Sequence, residues 1–447
     1  MEADTSSLLF AEKSIGKLLV RFALPAVLAQ VANSIYLIVD QVLLANSSVG
    51  TIGHGATAVA FPILTATNAV AFLFGGGGAA FASLRLGEGD AKAGQRALRY
   101  GLLVLLASSI LLTILGFLFL RPILLFFGAT KDLLPYSISY SRILLLGIPV
   151  IALGGALSYW VRADGSPGFS MGIMVAGAGL NIALDWLFLF LLQWGIGGLA
   201  WAMILSRGVT VALGLWYLWR RSKHFPLTFG LDGWQTLGKV LALGSSGFIM
   251  QCAILIVQIV TNRSLDSSVA IGAMGVVSKV NGILIAIVTG LAVGAQPILG
   301  FHQGAGHVRE VRKTYGLSVL WATVAAVVCW GIMVFASPWV AGVFAGGEKG
   351  PFVSTAAWFM RVYLLIIFTA GFQLISSYYF QATGRPWRAC LLTVSRQLLL
   401  LVPLILILSS FLGVNGVLYA GPIADVGATV ITAIFIWREL KLQKSYK

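Results

Sequence analysis

KLLVRFALPAVLAQVANSIYLIVDQVLL, residues 17–44, decides the fold class. Only Lys17, Arg21 and Asp40 are charged in a run long enough to cross a bilayer, which takes about 20 mostly apolar residues as a helix. Eleven further runs of the same kind follow, near 52–82, 97–120, 137–161, 168–193 and 196–219, then near 239–262, 270–300, 314–344, 354–382, 388–412 and 415–437. The whole chain has this character. Of 447 residues, 58% are hydrophobic and 10% charged, whereas soluble domains carry roughly a quarter charged residues. That excludes a cytosolic globular enzyme, a disordered chain and a secreted disulfide scaffold. The 52 glycines fit close packing of membrane helices. Cys252, Cys329 and Cys390 all lie in apolar runs, so no disulfide framework is expected. Glu2 and Asp4 open the chain where a signal peptide would be basic, so residues 17–44 read as the first spanning helix and not as a leader.

Charge then orients the chain. With both termini in the cytoplasm, most of the 30 basic residues fall inside, among them Lys17, Arg85, Arg96, Arg220, Arg221, Arg312, Arg385 and Lys441. Outside segments keep only Arg121, Lys131, Arg263, Lys349 and Arg361. This asymmetry predicts an even number of spans in the plasma (inner) membrane, multi-pass, both termini cytoplasmic. The net charge of +15 therefore faces anionic membrane lipids; no nucleic acid is expected as a partner.

The two halves repeat each other. Gly87-Glu88-Gly89 lies 217 positions before Gly304-Ala305-Gly306, Gly165-Ser166-Pro167 lies 219 before Gly384-Arg385-Pro386, and Gly195 and Gly198 lie 218 before Gly413 and Gly416. An offset of six helices keeps both copies in one orientation, so these are parallel repeats, a plan that transporters use to frame a substrate site. The expected fold is an all-α polytopic membrane protein with twelve transmembrane helices in two parallel six-helix repeats. Its domains are 1–219 for the first bundle, 220–238 for a cytoplasmic linker and 239–447 for the second bundle.

No nucleotide-binding G-x-x-x-x-G-K-[ST] motif is present, which disfavours direct ATP drive. Gly75–Gly78 lacks the Lys and Ser/Thr of a phosphate cradle and reads as a tightly packed part of helix 2. His302 and His307 read as solvated loop residues. The informative groups are ionisable residues inside spans, since each is expensive there unless paired or wetted. Asn33, Tyr36 and Asp40 share one face of helix 1, and Asn181 and Asp185 share one face of helix 5. Two such stripes suggest a common polar cavity in the first bundle. The competing reading pairs either Asp with an intramembrane cation such as Arg142 or Arg207. In the second half, Gln251, Gln258 and Gln373 come without an acid, while Lys279 and Asp425 fit a structural ion pair as well as transport. Pro25 removes a backbone hydrogen bond from helix 1 and marks a candidate hinge.

Taken in order, Leu24-Pro25, Asp40, Gly165-Ser166-Pro167, Asn181-Ile182-Ala183-Leu184-Asp185, Gly195-x-x-Gly198-Leu199-Ala200, Gln296-Pro297 and Gln381-Ala382-Thr383-Gly384-Arg385-Pro386 resemble the MATE (multidrug and toxic compound extrusion) family over nearly the whole chain. The resemblance implies two six-helix bundles around a V-shaped cleft and efflux of organic cations driven by proton or sodium entry. It also implies a coupling role for Asp40, Asn181 and Asp185, which would be the ligand set if the ion is Na+, and a cavity lined by Tyr36 and Tyr140. The missing acids in helices 7 and 10 look closer to the DNA-damage-inducible (DinF) branch. Ala202 stands where relatives can have a polar Thr.

The expected mechanism is antiport through Asp40. A buried carboxyl group takes up a proton readily, and its ionised form attracts a lipophilic cation by charge and by contact with Tyr36 or Tyr140. Substrate contacts are then Asp40, Tyr36, Asn33, Tyr140 and Asn181. The coupling ion is H+, with Na+ as the alternative, and no cofactor or resident metal is needed. The partners are lipophilic cationic drugs or dyes and membrane lipids, with the chain acting as a monomer. Two other readings are a lipid-linked saccharide flippase of the same superfamily and a polytopic membrane enzyme. The first would need several cations for pyrophosphate, where this chain offers Arg142, Arg207 and Lys279. The second would need room on loops such as Asn46–Thr51 and Gln193–Gly195, which are short and uncharged.

Overall fold

The computed structural model describes residues 14–47, 50–228, 234–265, 268–344 and 351–445. Lys13, Lys349, Glu2, Asp4 and part of the expected linker lie outside them. Eleven helices are long and apolar enough to cross a membrane: α1 (Ile15–Leu44), α2 (Gly53–Gly87), α3 (Ala91–Leu118), α4 (Leu134–Ala163), α5 (Pro167–Leu191), α6 (Gly195–Arg220), α7 (Trp234–Arg263), α8 (Gly272–Gly304), α9 (Val308–Phe335), α11 (Pro386–Leu412) and α12 (Val414–Lys441). The remaining span, α10, is a bent pair, Phe352–Tyr363 and Ile367–Ala382, at 50° to each other. The chain is a multi-pass membrane protein of two parallel six-helix repeats.

Two helix ends differ from the expected ones. The apolar run 314–344 is not one helix: α9 begins earlier, at Val308, and stops at Phe335, and Ser337–Phe344 forms a separate short helix. Ser337 Oγ turns back to the Val334 carbonyl and accepts from Arg361 Nε at 2.8 Å, fixing the break. Hydropathy alone does not register such a turn. The second is at His302, which lies in the last turn of α8 and is 2% exposed. Here α8 packs along α2, so the residue is covered and not solvated.

The repeat is visible in backbone geometry. Gly89 and Gly306 follow α2 and α8 with φ of 83° and 73°; Gly165 and Gly384 follow α4 and α10 with 89° and 77°; Gly195 and Gly413 open α6 and α12 with 59° and 57°. These are left-handed conformations that glycine adopts without steric cost. After two of them a proline at the first turn, Pro167 or Pro386, starts the next helix with its missing N–H where no partner is required.

Between the halves, α1 packs along α8 and α7 packs against the second half of α2. Glycines set the spacing. A Cβ on Gly244 would stand 2.0 Å from the Leu73 carbonyl oxygen, and one on Gly77 2.6 Å from the Gly244 nitrogen. Likewise, Gly290 and Gly294 of α8 press on the backbone of Val27 and Ala23, on either side of Pro25. These contacts run from the middle of the bundle toward the end where the Gly89 and Gly306 turns sit. Phe72 adds edge-on ring contacts to Tyr159 of α4 at 5.4 Å and Tyr378 of α10 at 6.1 Å. Gly75–Gly78 is therefore a packing seam, with Gly75 against Ala156 and Gly78 against Trp160. A π-helical stretch, Phe72–Gly76, accommodates it within α2.

Two buried carboxylates tie the helix ends on that side. Asp164, after α4, accepts from Tyr217 Oη at 2.7 Å, Ser222 Oγ at 2.9 Å and the backbone N–H groups of Lys223, His224 and Phe225 at 2.7–3.0 Å. Glu439, near the end of α12, pairs with Arg385 and Arg388.

Candidate functional site

The sequence places Asn33, Tyr36 and Asp40 on one stripe of α1, and the structure turns that stripe toward α5 and α6. Asn181 and Asp185 face it from α5, four residues apart and both at least 96% buried, with Asp185 0% exposed. The Asn181 amide donates to Asp185 Oδ2, and Asn181 Oδ1 accepts from Ser206 Oγ of α6 at 3.0 Å. This orients the amide, so that its NH2 must point at the carboxylate.

Asp40 and Asp185 face each other across the α1–α5 interface, near enough to interact. Asp185 Oδ1 is buried with no donor of its own. Gln41 Nε2 reaches Asp40 Oδ2 at 3.4 Å, and Gln41 Oε1 in turn lies 2.9 Å from His54 Nδ1 of α2. Tyr140 of α4 is 4% exposed and lies within electrostatic range of both acids and of Tyr36. Immediately after Asp185, α5 widens into a π-helical turn, Leu187–Leu191. Such turns are frequent where a helix carries a functional side chain.

Neither acid makes a salt bridge among the described residues. That corrects the reading in which Arg142 or Arg207 neutralises one of them. Arg142 is exposed on the outer surface of α4. Arg207 does reach the α1 stripe, but it bonds neutral partners: its Nη2 donates to Asn33 Oδ1 at 3.3 Å and to Tyr36 Oη at 3.2 Å, with the guanidinium 5.8 Å from the Tyr36 ring centroid. Sequence spacing on α1 could not reveal this contact, since it joins residues 174 positions apart.

The second half has the opposite arrangement. Its intramembrane acid, Asp425 of α12, is 2% exposed and accepts from Arg396 Nε of α11 at 2.8 Å. Gln373 Nε2 closes the surround with bonds to the Asp425 carbonyl at 3.1 Å and to Thr429 Oγ1 at 2.9 Å. Asp425 is thus a structural ion pair. The positions that correspond by the repeat to Asn33 and Asp40 are Gln251 and Gln258, both neutral. Lys279 is exposed, near His54. So, among the described residues, the first half holds a carboxyl pair without a salt-bridged cation, and the second half holds a carboxylate already satisfied.

What can occupy the pair follows from its charge. Two facing carboxyl groups in a low-dielectric site are stabilised by one positive charge, whether a proton, a monovalent cation or the cationic group of a bound molecule. The donor set fits a proton directly. It also offers oxygens of Asp40, Asn181 and Asp185 to a hard cation, although Ala202 is buried and adds none. Among the described residues no group of three or more His, Cys, Asp or Glu could hold a metal ion. Pro25 lies inside an uninterrupted α1, in the seam with α8, some four turns from Asp40.

Comparison with known proteins agrees with this architecture. A family model, MatE, matches residues 25–187 and again residues 244–407, once in each half. The multidrug export protein MepA of Staphylococcus haemolyticus (strain JCSC1435) is 22% identical over 441 residues, covering 97% of this chain and 96% of the relative. MepA of Staphylococcus aureus (strain NCTC 8325) is 23% identical over 422 residues, covering 93% and 92%. Among solved structures, a MOP superfamily transporter from Pyrococcus furiosus, described as having a binding pocket of reverse polarity, superposes with a TM-score of 0.92 at 21% identity over 100% of both chains. A multidrug resistance MATE family transporter in an outward-facing conformation gives 0.91 at 21% identity over 99% of both.

Proposed function

This chain belongs to the MatE family, transporters and not enzymes, and we propose that it is a secondary active multidrug efflux antiporter that exports lipophilic organic cations in exchange for protons. Sodium is the alternative ion, bound by the same oxygens. The reading carries over from the multidrug-export relatives to this chain on one observation: among the described residues Asp40, half-buried, and Asp185, fully buried, form a carboxyl pair that makes no salt bridge, while the comparable acid of the other half is neutralised by Arg396. An intramembrane acid pair that lacks its own cation must take one from outside the protein.

Exclusion supplies the coupling. A proton on the pair and a lipophilic cation beside it compete for one negative charge, with Tyr36 and Tyr140 offering ring faces to the cation. Each ligand must stabilise a different arrangement of the two halves, since a ligand that binds both equally shifts nothing. In this state the seam of Gly77, Gly244, Gly290 and Gly294 closes the end bearing the Gly89 and Gly306 turns, which we assign to the cytoplasm from the basic residues there. The chain then lies in the plasma membrane with both termini cytoplasmic. It acts as a monomer, and Pro25 is the point at which α1 can bend within the seam.

Proteoliposome transport of a fluorescent cationic dye, with a pH gradient and a sodium gradient imposed separately, tests the proposal. Asp40→Asn and Asp185→Asn should each abolish gradient-driven dye movement in a protein that elutes and unfolds like the parent. Near-normal transport by Asp40→Asn would refute it. Transport driven by sodium at equal pH would select the alternative ion.

A further inference from the structure

Arg207 is held against the polar stripe of α1 by neutral acceptors alone. Its two bonds go to Asn33 and Tyr36, and among the described residues no carboxylate pairs with it. The repeat makes this unusual. The position 218 residues later is Asp425, where the intramembrane charge is matched by Arg396 at 2.8 Å. One half satisfies its charged residue internally; the other leaves a guanidinium half-buried on an amide and a phenol. A charge in such a setting is poorly compensated unless a ligand brings the opposite one.

Its place on α1 matters as much as its charge. Asn33 and Asp40 lie seven residues apart on one face, about 10 Å along the helix axis. The stripe is therefore positive at the Asn33 end, where Arg207 sits, and negative at the Asp40 end, where Asp185 joins it. A purely cationic passenger gains at the acid pair but meets Arg207 over the same Tyr36 ring at 5.8 Å. A molecule with a cationic nitrogen at one end and a carboxylate at the other satisfies both ends.

We infer that Arg207 binds an anionic group of the transported molecule, so that this pocket prefers amphoteric passengers over purely cationic ones. The inference rests on the export reading and narrows its substrate class. Guanidinium matches a carboxylate with two parallel donors, which a neutral or differently shaped side chain does not reproduce.

Rhodamine B and its ethyl ester share one cationic ring system and differ in whether the pendant group is a carboxylate. Binding of each to the purified full-length protein in detergent is read by fluorescence anisotropy. The parent should favour the acid over the ester by about ten-fold or more relative to Arg207→Met, the effect of one charge-assisted hydrogen bond. Arg207→Lys should keep part of the preference. Arg207→Gln, which retains donors to Asn33 and Tyr36 without charge, replaces Arg207→Met if that variant does not fold, and ester binding by either variant demonstrates an intact site. A parent that binds acid and ester alike, or a preference that survives loss of the charge, overturns the inference while leaving export in place. A parent that binds neither dye overturns the export reading with it.

Discussion

One methyl group at Gly244 should open the seam. The Cβ of Gly244→Ala would stand 2.0 Å from the Leu73 carbonyl oxygen and 2.7 Å from its carbon, both backbone atoms that no rotamer change can move. Ordinary carbon contacts are about 3.5 Å, so α7 and α2 must separate by roughly 1.5 Å. Overpacking of this kind costs about 1–3 kcal/mol. Each half keeps its own packing, so the cost falls on the closed junction, and states with the seam parted should gain about 5- to 150-fold in population. A reporter is available in Ser83, which is 2% exposed and faces Gly300 of α8 across the seam. With Cys252, Cys329 and Cys390 replaced, Ser83→Cys should react slowly with a membrane-impermeant maleimide in inside-out vesicles. Adding Gly244→Ala should accelerate that reaction by the factor above. Gly275→Ala in α8, whose Cβ meets nothing within 4 Å, should leave it unchanged. An unaltered rate in Gly244→Ala, in protein with a normal unfolding temperature, would mean that the glycine contacts do not seal this end.

Three further outcomes follow from the buried charges. Asp425→Asn strands Arg396 and should lower stability by about 3–5 kcal/mol, seen as a lower unfolding temperature in detergent. Pairing it with Arg396→Met should restore most of the loss, and equal losses in single and double variants would count against the ion pair. Asp164→Ala leaves buried donors of Tyr217, Ser222 and residues 223–225 without their acceptor, costing about 3 kcal/mol or more. Limited proteolysis should then cut the segment 222–228 sooner than in the parent; unchanged cleavage would show that another contact holds it. Asn181→Ala removes the donor to Asp185 and should weaken coupled transport by about ten-fold with little effect on folding, whereas Asn181→Gln, one methylene longer, should not rescue it. Dye flux against an imposed gradient reads both variants.

The spans, the repeat and the polar stripes are all legible in the sequence, because each is written in local periodicity. An apolar run has a length, a helix face has a spacing of three or four, and a left-handed turn asks for glycine at a fixed offset. Asn33, Tyr36, Asp40, Asn181 and Asp185 could be placed on two faces for that reason. That the faces meet depends on how α1 and α5 pack, yet two isolated intramembrane acids in one bundle already pointed to it. The chain was less informative wherever a contact joined distant positions. In residues 314–344 hydropathy runs unbroken, and only Ser337-Pro338 hints at two helices; what fixes the break is Arg361 reaching Ser337.

Sequence by itself therefore determined that this chain crosses a membrane in two like halves and carries intramembrane acids in the first. Tertiary structure decided which charges are matched. Asp425 and Asp185 look alike in sequence, each an acid in an apolar helix. Only folding brings Arg396 to one and leaves the other without a salt bridge among the described residues, and it sends Arg207 to Asn33 and Tyr36. The difference arises because charge compensation acts over a few ångströms between helices whose sequence separation is tens to hundreds of residues, a distance that no local pattern encodes.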